Sequence, residues 1–205
     1  MTQKPKGAYD AIELTLTEGE TQPWESKCGG CPYLESEADY PRDQDGKPMM
    51  FLAQINLDEM PHVNKLPEQG LLQFYVSDKE MYGLDSPCRV IYIPEYKKDA
   101  SVLLSKNPFE EAYENDKPYE GEGRYEFKSE TDDWFSPGHL VGGEPFFVYD
   151  TELEEDEDYT MLFQMESDEQ CGIMFGDDGN AQFFIDTEDL KNKNFDNVEY
   201  AWQCS

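Results

Sequence analysis

The sequence predicts a strand-rich α+β fold in which one unit occurs twice and builds two antiparallel or mixed sheets related by a pseudo-twofold axis. Three observations predict it. Short segments recur in the same order about 110 residues apart, they are apolar or aromatic and bounded by Gly, Pro or Asp, and helical periodicity is confined to a turn or two. We therefore expect a single globular domain of 205 residues with few short helices.

The repeat consists of a Gly-Gly-x-Pro turn followed by three strand-like segments. The first pair of segments matches at both glycines, the proline and two large apolar positions. The matched segments are 28–34 and 141–147, 51–55 and 161–165, 70–75 and 179–184, and, more weakly, 90–92 and 198–200. These matches predict a first half at 10–104 and a second half at 137–205, joined by an acidic connecting segment at 105–136.

Elements outside the matched segments follow from local patterns. Residues 11–17 alternate apolar and polar side chains, which predicts a strand that joins the sheet of the first half. Single helical turns are predicted at 56–60 and at 187–191, where acidic residues open the second of them. The segment 105–136 is rich in Pro, Gly and acids, so we expect a long surface connection there.

The charge balance restricts the partners. There are 16 basic and 46 acidic residues, giving a net charge of −30. Such a field repels nucleic acids and anionic membranes and attracts basic proteins or cations, although solubility alone is a competing explanation. No apolar run approaches the roughly 20 residues that span a bilayer, and the start lacks a signal-peptide pattern. We expect a cytoplasmic protein that binds neither nucleic acid nor membrane.

The run at 150–158 contains seven acids in nine positions and is predicted to be a solvated loop. Calcium binding is the alternative. The run lacks the alternating Asp spacing and the later bidentate Glu of a hand-type calcium loop, which favours the solvated loop.

Five cysteines, an odd number in a chain without an export signal, argue against a disulfide framework and leave buried thiols or a metal site. Cys28 and Cys31 flank the first glycine pair and would supply half of a zinc site. The sequence offers no second paired motif, so apolar packing of the thiols competes with zinc. No cofactor is predicted, with zinc at these two cysteines as the alternative.

Four glutamines occupy matching strand positions in the two halves, namely Gln54 with Gln164 and Gln73 with Gln182. An amide within an apolar strand most often bridges to a loop backbone, and that is the favoured interpretation. The alternative is a ligand-binding groove between the halves, lined by these amides and by Arg42, Arg89 or Arg124. No catalytic residue is predicted, because the chain has two histidines and no phosphate-binding or zinc-hydrolase motif.

Several motifs of this chain resemble those of the YwqG-like family over about residues 10–205. The matching motifs include Gly29-Gly30-x-Pro32, Leu52-Ala53-Gln54-Ile55-Asn56, Arg89-Val90-Ile91-Tyr92, His139-x-Val141-Gly142-Gly143 and Met174-x-Gly176-Asp177-x-Gly179. The resemblance implies a bacterial protein of unknown function with an internally duplicated α+β fold and no assigned active site. It also implies that some relatives lie near toxin and immunity genes. Cys28 and Cys31 depart from the pattern, since relatives often have apolar residues there.

Together these features predict a non-catalytic, acidic interaction protein that recognises a basic protein such as a toxin. The alternative is an enzyme or metal-binding protein that uses the groove between the halves or Cys28 and Cys31.

Overall fold

The structure is a computed structural model, and it describes residues 8–77, 87–113, 121–130, 138–148 and 158–204. The described strands are β1 (Ala8–Tyr9), β2 (Ala11–Glu18), β3 (Lys27–Gly29), β4 (Met50–Asn56), β5 (His62–Val63), β6 (Leu71–Val76), β7 (Cys88–Ile93), β8 (Glu122–Glu130), β9 (His139–Gly142), β10 (Tyr159–Glu166), β11 (Asn180–Asp186) and β12 (Val198–Gln203). The described helices are α1 (Pro108–Ala112), α2 (Thr187–Lys191) and three 3-10 turns at Glu37–Asp39, Leu57–Glu59 and Ala100–Val102. Neither α-helix is long or apolar enough to cross a membrane.

Ten strands form one antiparallel sheet with the order β12-β11-β10-β9-β2-β8-β3-β4-β6-β7, and β1 pairs with β5 in a small parallel ribbon. The order is symmetric about the central pair β2 and β8, because β3, β4, β6 and β7 follow on one side and β9, β10, β11 and β12 on the other. The strand-rich character is therefore confirmed. The described strands form one continuous main sheet rather than one sheet for each half.

The central pair explains this continuity. The strand predicted at 11–17 is confirmed as β2, but it pairs with β8 and with β9 of the second half instead of joining the first half. β8 in turn pairs with β3. Backbone hydrogen bonding through these two strands therefore joins the halves into one sheet.

The segment 105–136 is not merely a surface connection, because it contains α1 and β8. β8 buries Gly123 and Tyr125 and exposes Glu126, Phe127 and Lys128, so its apolar alternation is too weak to reveal a strand. Its residues 114–120 and 131–136 lie outside the described residues. The predicted acidic loop at 150–158 also lies outside them, except for Asp158.

Local signals elsewhere are confirmed. The predicted turn at 56–60 contains the 3-10 turn Leu57–Glu59, and Asn56 caps it by accepting from the Asp58 N–H. α2 occupies the predicted residues 187–191, and the Asp186 side chain accepts from the N–H groups of Glu188 and Asp189. Both Gly-Gly pairs adopt positive φ, which glycine tolerates best.

The core lies on the inner face of the curled sheet and joins the two halves. Phe74 of β6 packs against Phe163 and Phe183, with ring centroids 5.0 and 4.8 Å apart. The two edge strands, β7 and β12, also approach each other, since the Cys88 thiol donates to the Val198 carbonyl at 3.1 Å. The sheet is thus nearly closed, with a seam between its first and last strands.

Candidate functional site

Gln54 and Gln73 fasten loops onto the outer face of the first half. Gln54 is fully buried, and its Oε1 accepts from the Tyr33 N–H at 3.0 Å and from Gln73 Nε2 at 2.9 Å. Its Nε2 donates to the carbonyls of Pro23 and Glu25, both at 2.9 Å. Gln73 Nε2 also donates to the Tyr33 carbonyl at 2.8 Å. These bonds are the bridges to loop backbone that the favoured interpretation predicts.

Gln164 and Gln182 do the same in the second half. Gln164 Oε1 accepts from the Phe146 N–H at 2.7 Å, and its Nε2 donates to the Gly138 carbonyl at 3.0 Å. Gln182 Nε2 donates to the Phe146 carbonyl at 2.8 Å. The loop anchors Tyr33 and Phe146 are matching residues of the two Gly-Gly-x-Pro segments. The structure therefore uses all four amides in internal bonds.

The three candidate arginines lie on different elements and pair with different acids. Arg42 contacts Glu37 at 3.2 Å on the surface, and Arg124 contacts Glu25 at 2.8 Å. Arg89 lies on β7, with NH1 3.7 Å from Asp196 Oδ1. Arg124 and Gln54 meet at Glu25, since Gln54 Nε2 donates to the Glu25 carbonyl. Within the described residues no hydrogen bond or ion pair joins Arg42 or Arg89 to a glutamine.

The cysteines depart from the prediction of free thiols, because Cys28 is joined to Cys171 by a disulfide. Cys171 lies in the turn between β10 and β11, which is 143 residues away in sequence, so neither spacing nor parity could reveal the pair.

Cys31 is separate from this bond. Its thiol donates to the Leu104 carbonyl at 3.5 Å, and burial raises its pKa to about 11, which disfavours the thiolate needed for metal binding. The described residues contain no group of three or more metal-binding side chains. The structure thus supplies no set of ligands in which Cys28 and Cys31 hold zinc together.

His139 lies buried at the start of β9, and its ring joins β8, β10 and the turn after β10. The Glu166 backbone N–H donates to His139 Nδ1 at 3.2 Å, and Nε2 lies 3.2 Å from Asp168 Oδ2. Nδ1 is therefore an acceptor, and the proton on Nε2 is donated to Asp168. This hydrogen bond is the main cause that lowers the pKa of Asp168. The Tyr125 hydroxyl, 3.5 Å from Nδ1, is fully buried, and burial raises its pKa well above the ordinary value.

The charge of Glu166 is influenced by three other carboxylates, one of which is Asp168 beside His139, and we call the four residues the acidic face: Glu13, Glu166, Asp168 and Asp178. Gly138 lies between two of them, since a Cβ there would be 3.7 Å from Glu13 Oε1 and 4.0 Å from Glu166 Oε2. Burial, followed by the negative charges of Asp178, Asp168 and Glu13, raises the pKa of Glu166. Lys128 already pairs with Glu13, with its Nζ 2.6 Å from Glu13 Oε1, so the like-charge repulsion that a further cationic group would relieve centres on Glu166.

One exposed apolar side chain, Met174, lies near the acidic face, since it follows the Asp168–Ile173 bridge and is 43% exposed. Phe127 of β8 is 40% exposed, but it pairs in register with the core residue Leu14 and therefore lies on the opposite face of the sheet from Glu13. Met174 was noted from the sequence only within a family motif, and neither residue was predicted as a site residue. Their signal, an apolar residue inside a polar loop or at the end of a strand, is too common to identify a site by itself.

A groove of about 280 Å³ opens along the seam beside β7. We call it the seam groove. It is lined by Arg89, Val90, Ile91 and Tyr92 of β7 and by Lys193, Phe195 and Asp196 from the connection between α2 and β12. It contains Arg89 but none of the four glutamines. Sequence reasoning missed Lys193 and Phe195, because no local pattern shows that residues about 100 positions apart meet.

Comparison with known families assigns the chain. Residues 26–204 match a family model described as a domain of unknown function, DUF1963. The chain belongs to this family. The match includes both sets of buried glutamines and both sides of the seam groove, and it begins after β2. No curated protein matches this DUF1963 chain.

Proposed function

We propose that this DUF1963 protein is a non-catalytic interaction protein whose acidic face binds a basic protein, in the manner of an immunity protein and its toxin. One observation carries the proposal. Glu13 of β2, which pairs with Lys128, is brought beside Glu166, whose pKa is also raised by the nearby charges of Asp168 and Asp178.

The repulsion gives the binding its driving force. Burial and neighbouring negative charges raise the pKa of Glu166, whereas the neighbouring His139 lowers it. An arginine or lysine of a partner would stabilise the ionised carboxylates, so part of the electrostatic cost in the free protein is recovered on binding. The net charge of −30 would also accelerate the approach of a basic protein.

An apolar neighbour favours a protein over a small cation. Protein interfaces combine charged rims with a few apolar anchors, and Met174 provides exposed apolar surface in the turn that carries Asp168 and Asp178. Within the described part of the chain, the ring nitrogens of His139 and the four glutamine amides make internal contacts. These contacts support a binding role over a catalytic one.

The test compares two triple variants that lose the same charge. Glu13→Gln/Glu166→Gln/Asp178→Asn neutralises the acidic face and leaves Asp168 with His139. Glu20→Gln/Glu35→Gln/Glu95→Gln neutralises three exposed acids elsewhere. Each immobilised protein is incubated with lysate of the source cell at low salt, and recovered proteins are identified by mass spectrometry.

We expect the wild type and the control variant to retain one basic protein that salt releases. The acidic-face variant should bind it at least tenfold more weakly, which corresponds to about 1.4 kcal/mol. Equal retention by the two variants would contradict a specific role of the acidic face. Recovery of no basic protein by the wild type would contradict the proposed function itself.

We further propose that the chain arose by internal duplication and belongs to the YwqG-like group within its family. The symmetric strand order supports the duplication, as do β-bulges at matching places, between Phe51 and Ala53 in β4 and between Met161 and Phe163 in β10. An experimental structure in which 27–76 failed to superpose on 140–185 would contradict the duplication.

A further inference from the structure

The seam groove differs in sign from the rest of the molecule. Two cationic side chains, Arg89 and Lys193, border one groove in a chain whose net charge is −30. We propose that the seam groove binds a small organic anion that carries a planar apolar group, such as an aryl phosphate or aryl carboxylate. This site is separate from the acidic face and does not depend on the function proposed for it.

The cations are placed to contact an anion in the groove. Arg89 is about half exposed on β7, so its guanidinium is accessible and can bind a carboxylate or phosphate with two hydrogen bonds. Lys193 projects from the other wall, with its Nζ 5.8 Å from the centroid of the Tyr92 ring. An anion between the two walls would therefore meet one cation from each half of the chain.

The backbone fixes the position of Lys193. It follows α2 with φ of 55°, a left-handed conformation that glycine or asparagine usually occupies at the end of a helix. Its N–H donates to the Leu190 carbonyl at 3.0 Å, so the turn holds the residue at the edge of the groove.

The aromatic residues supply the apolar part of the site. The rings of Tyr92 and Phe195 pack with centroids 5.4 Å apart and an interplanar angle of 41°. The Tyr92 hydroxyl donates to the Gln69 carbonyl at 3.0 Å, which fixes that ring, and Phe195 is 7% exposed. A planar group can contact the partly exposed Tyr92 ring, which buried Phe195 supports, whereas inorganic phosphate would use only the cations.

The volume of the seam groove and the negative charge of Asp196 restrict the class of ligand further. A volume of about 280 Å³ is at the lower end of the range for small-molecule sites, which favours a ligand with a single ring. Asp196 is the acid in the lining. Its Oδ1 is 3.7 Å from Arg89 NH1 and its side chain is 82% exposed, so a bound anion would replace it as the partner of Arg89.

The test uses phenyl phosphate, inorganic phosphate and benzyl alcohol at constant ionic strength. Binding is measured by isothermal titration and by changes in the NMR signals of the Tyr92 and Phe195 rings. Arg89→Gln is compared with the control Arg42→Gln, which removes an exposed arginine paired with Glu37 elsewhere. Thermal unfolding of both variants verifies that each is folded.

Phenyl phosphate should bind at one site with Kd below about 1 mM, and both other probes should bind at least tenfold more weakly. Arg89→Gln should weaken phenyl phosphate binding about tenfold, Arg42→Gln should not change it, and Asp196→Asn should strengthen it severalfold. The proposal is overturned if phenyl phosphate shows no saturable binding, if inorganic phosphate binds equally well, or if both arginine variants lose the same affinity.

Discussion

The two halves of the sheet differ in the hydrogen bonding of a buried glutamine side chain, Gln73 in the first half and Gln182 in the second. In the first half the Tyr75 hydroxyl donates to Gln73 Oε1 at 3.0 Å. In the second half Phe184 occupies the position that matches Tyr75, and Gln182 Oε1 has no hydrogen-bond partner among the described residues. The Tyr75 hydroxyl, which Phe184 lacks, thus provides the donor for Gln73 Oε1 that Gln182 Oε1 does not have.

A second difference concerns β3 and β9, the strands that flank the central pair β2 and β8. Lys27 is 1% exposed, and its ammonium donates to the Cys31 carbonyl at 3.0 Å and lies 3.7 Å from Glu122 Oε1. The matching residue in the second half is Leu140, which joins a small apolar cluster with Phe147 and Phe184. The comparison shows that matching glutamines anchor loops in both halves, whereas the residues around them differ, with a buried lysine in one and an apolar cluster in the other.

The largest expected effect concerns the covalent link between the halves. Cys171→Ala removes the bond to Cys28, which joins two residues that are 143 positions apart in the sequence. By loop-closure entropy the free energy of unfolding should fall by up to about 5 kcal/mol. Denaturant titration with and without reductant measures it, and Cys31→Ser is the control. A wild type whose stability is unchanged by complete reduction would contradict a stabilising disulfide.

Gln54→Met should produce the next largest loss. Methionine keeps the shape of the side chain but removes bonds to the Tyr33 N–H, to Gln73 Nε2 and to two loop carbonyls. Leaving such groups buried without partners should lower the free energy of unfolding by about 3 kcal/mol. Denaturant titration checks this, and a loss below about 0.5 kcal/mol would mean that water replaces these bonds.

Tyr75→Phe and Phe184→Tyr test the difference between the halves in both directions. The first change copies the second half and should cost about 1 to 2 kcal/mol, because Gln73 Oε1 loses its donor. The second change copies the first half and should stabilise by about 1 kcal/mol if the new hydroxyl reaches Gln182 Oε1. Stability changes of the same sign in both variants would contradict the assignment.

The smallest expected effect is that of Lys27→Met on the pH dependence of the free energy of unfolding. Burial lowers the pKa of Lys27, while the charge of Glu122 opposes this shift. The unfolded chain therefore binds more protons between the lowered pKa and the ordinary value of 10.5, so wild-type stability should rise with pH in that window. The variant lacks this contribution. Parallel pH profiles of the two proteins up to pH 10.5 would show that folding does not lower the pKa of Lys27.

Local patterns were sufficient for much of the fold. Apolar alternation identified β2, acidic capping identified α2, and the repeat located both sets of glutamines. β8 was missed because it buries only Gly123 and Tyr125 among residues 121–128, and the Cys28–Cys171 bond was missed because it depends on tertiary proximity. The seam groove contains both a residue that a sequence motif indicated and residues that only the tertiary structure brings there. Arg89 was a candidate from its motif, whereas Lys193 and Phe195 join it only when the sheet curls.

The most direct test of the proposed function is amide hydrogen exchange of this protein bound to the basic protein that it captures at low salt. Binding at the acidic face predicts slower exchange in β2 and in residues 167–178, with no change in β7. Protection confined to β7 and residues 193–196, or no protection in the acidic-face segments, would contradict the account.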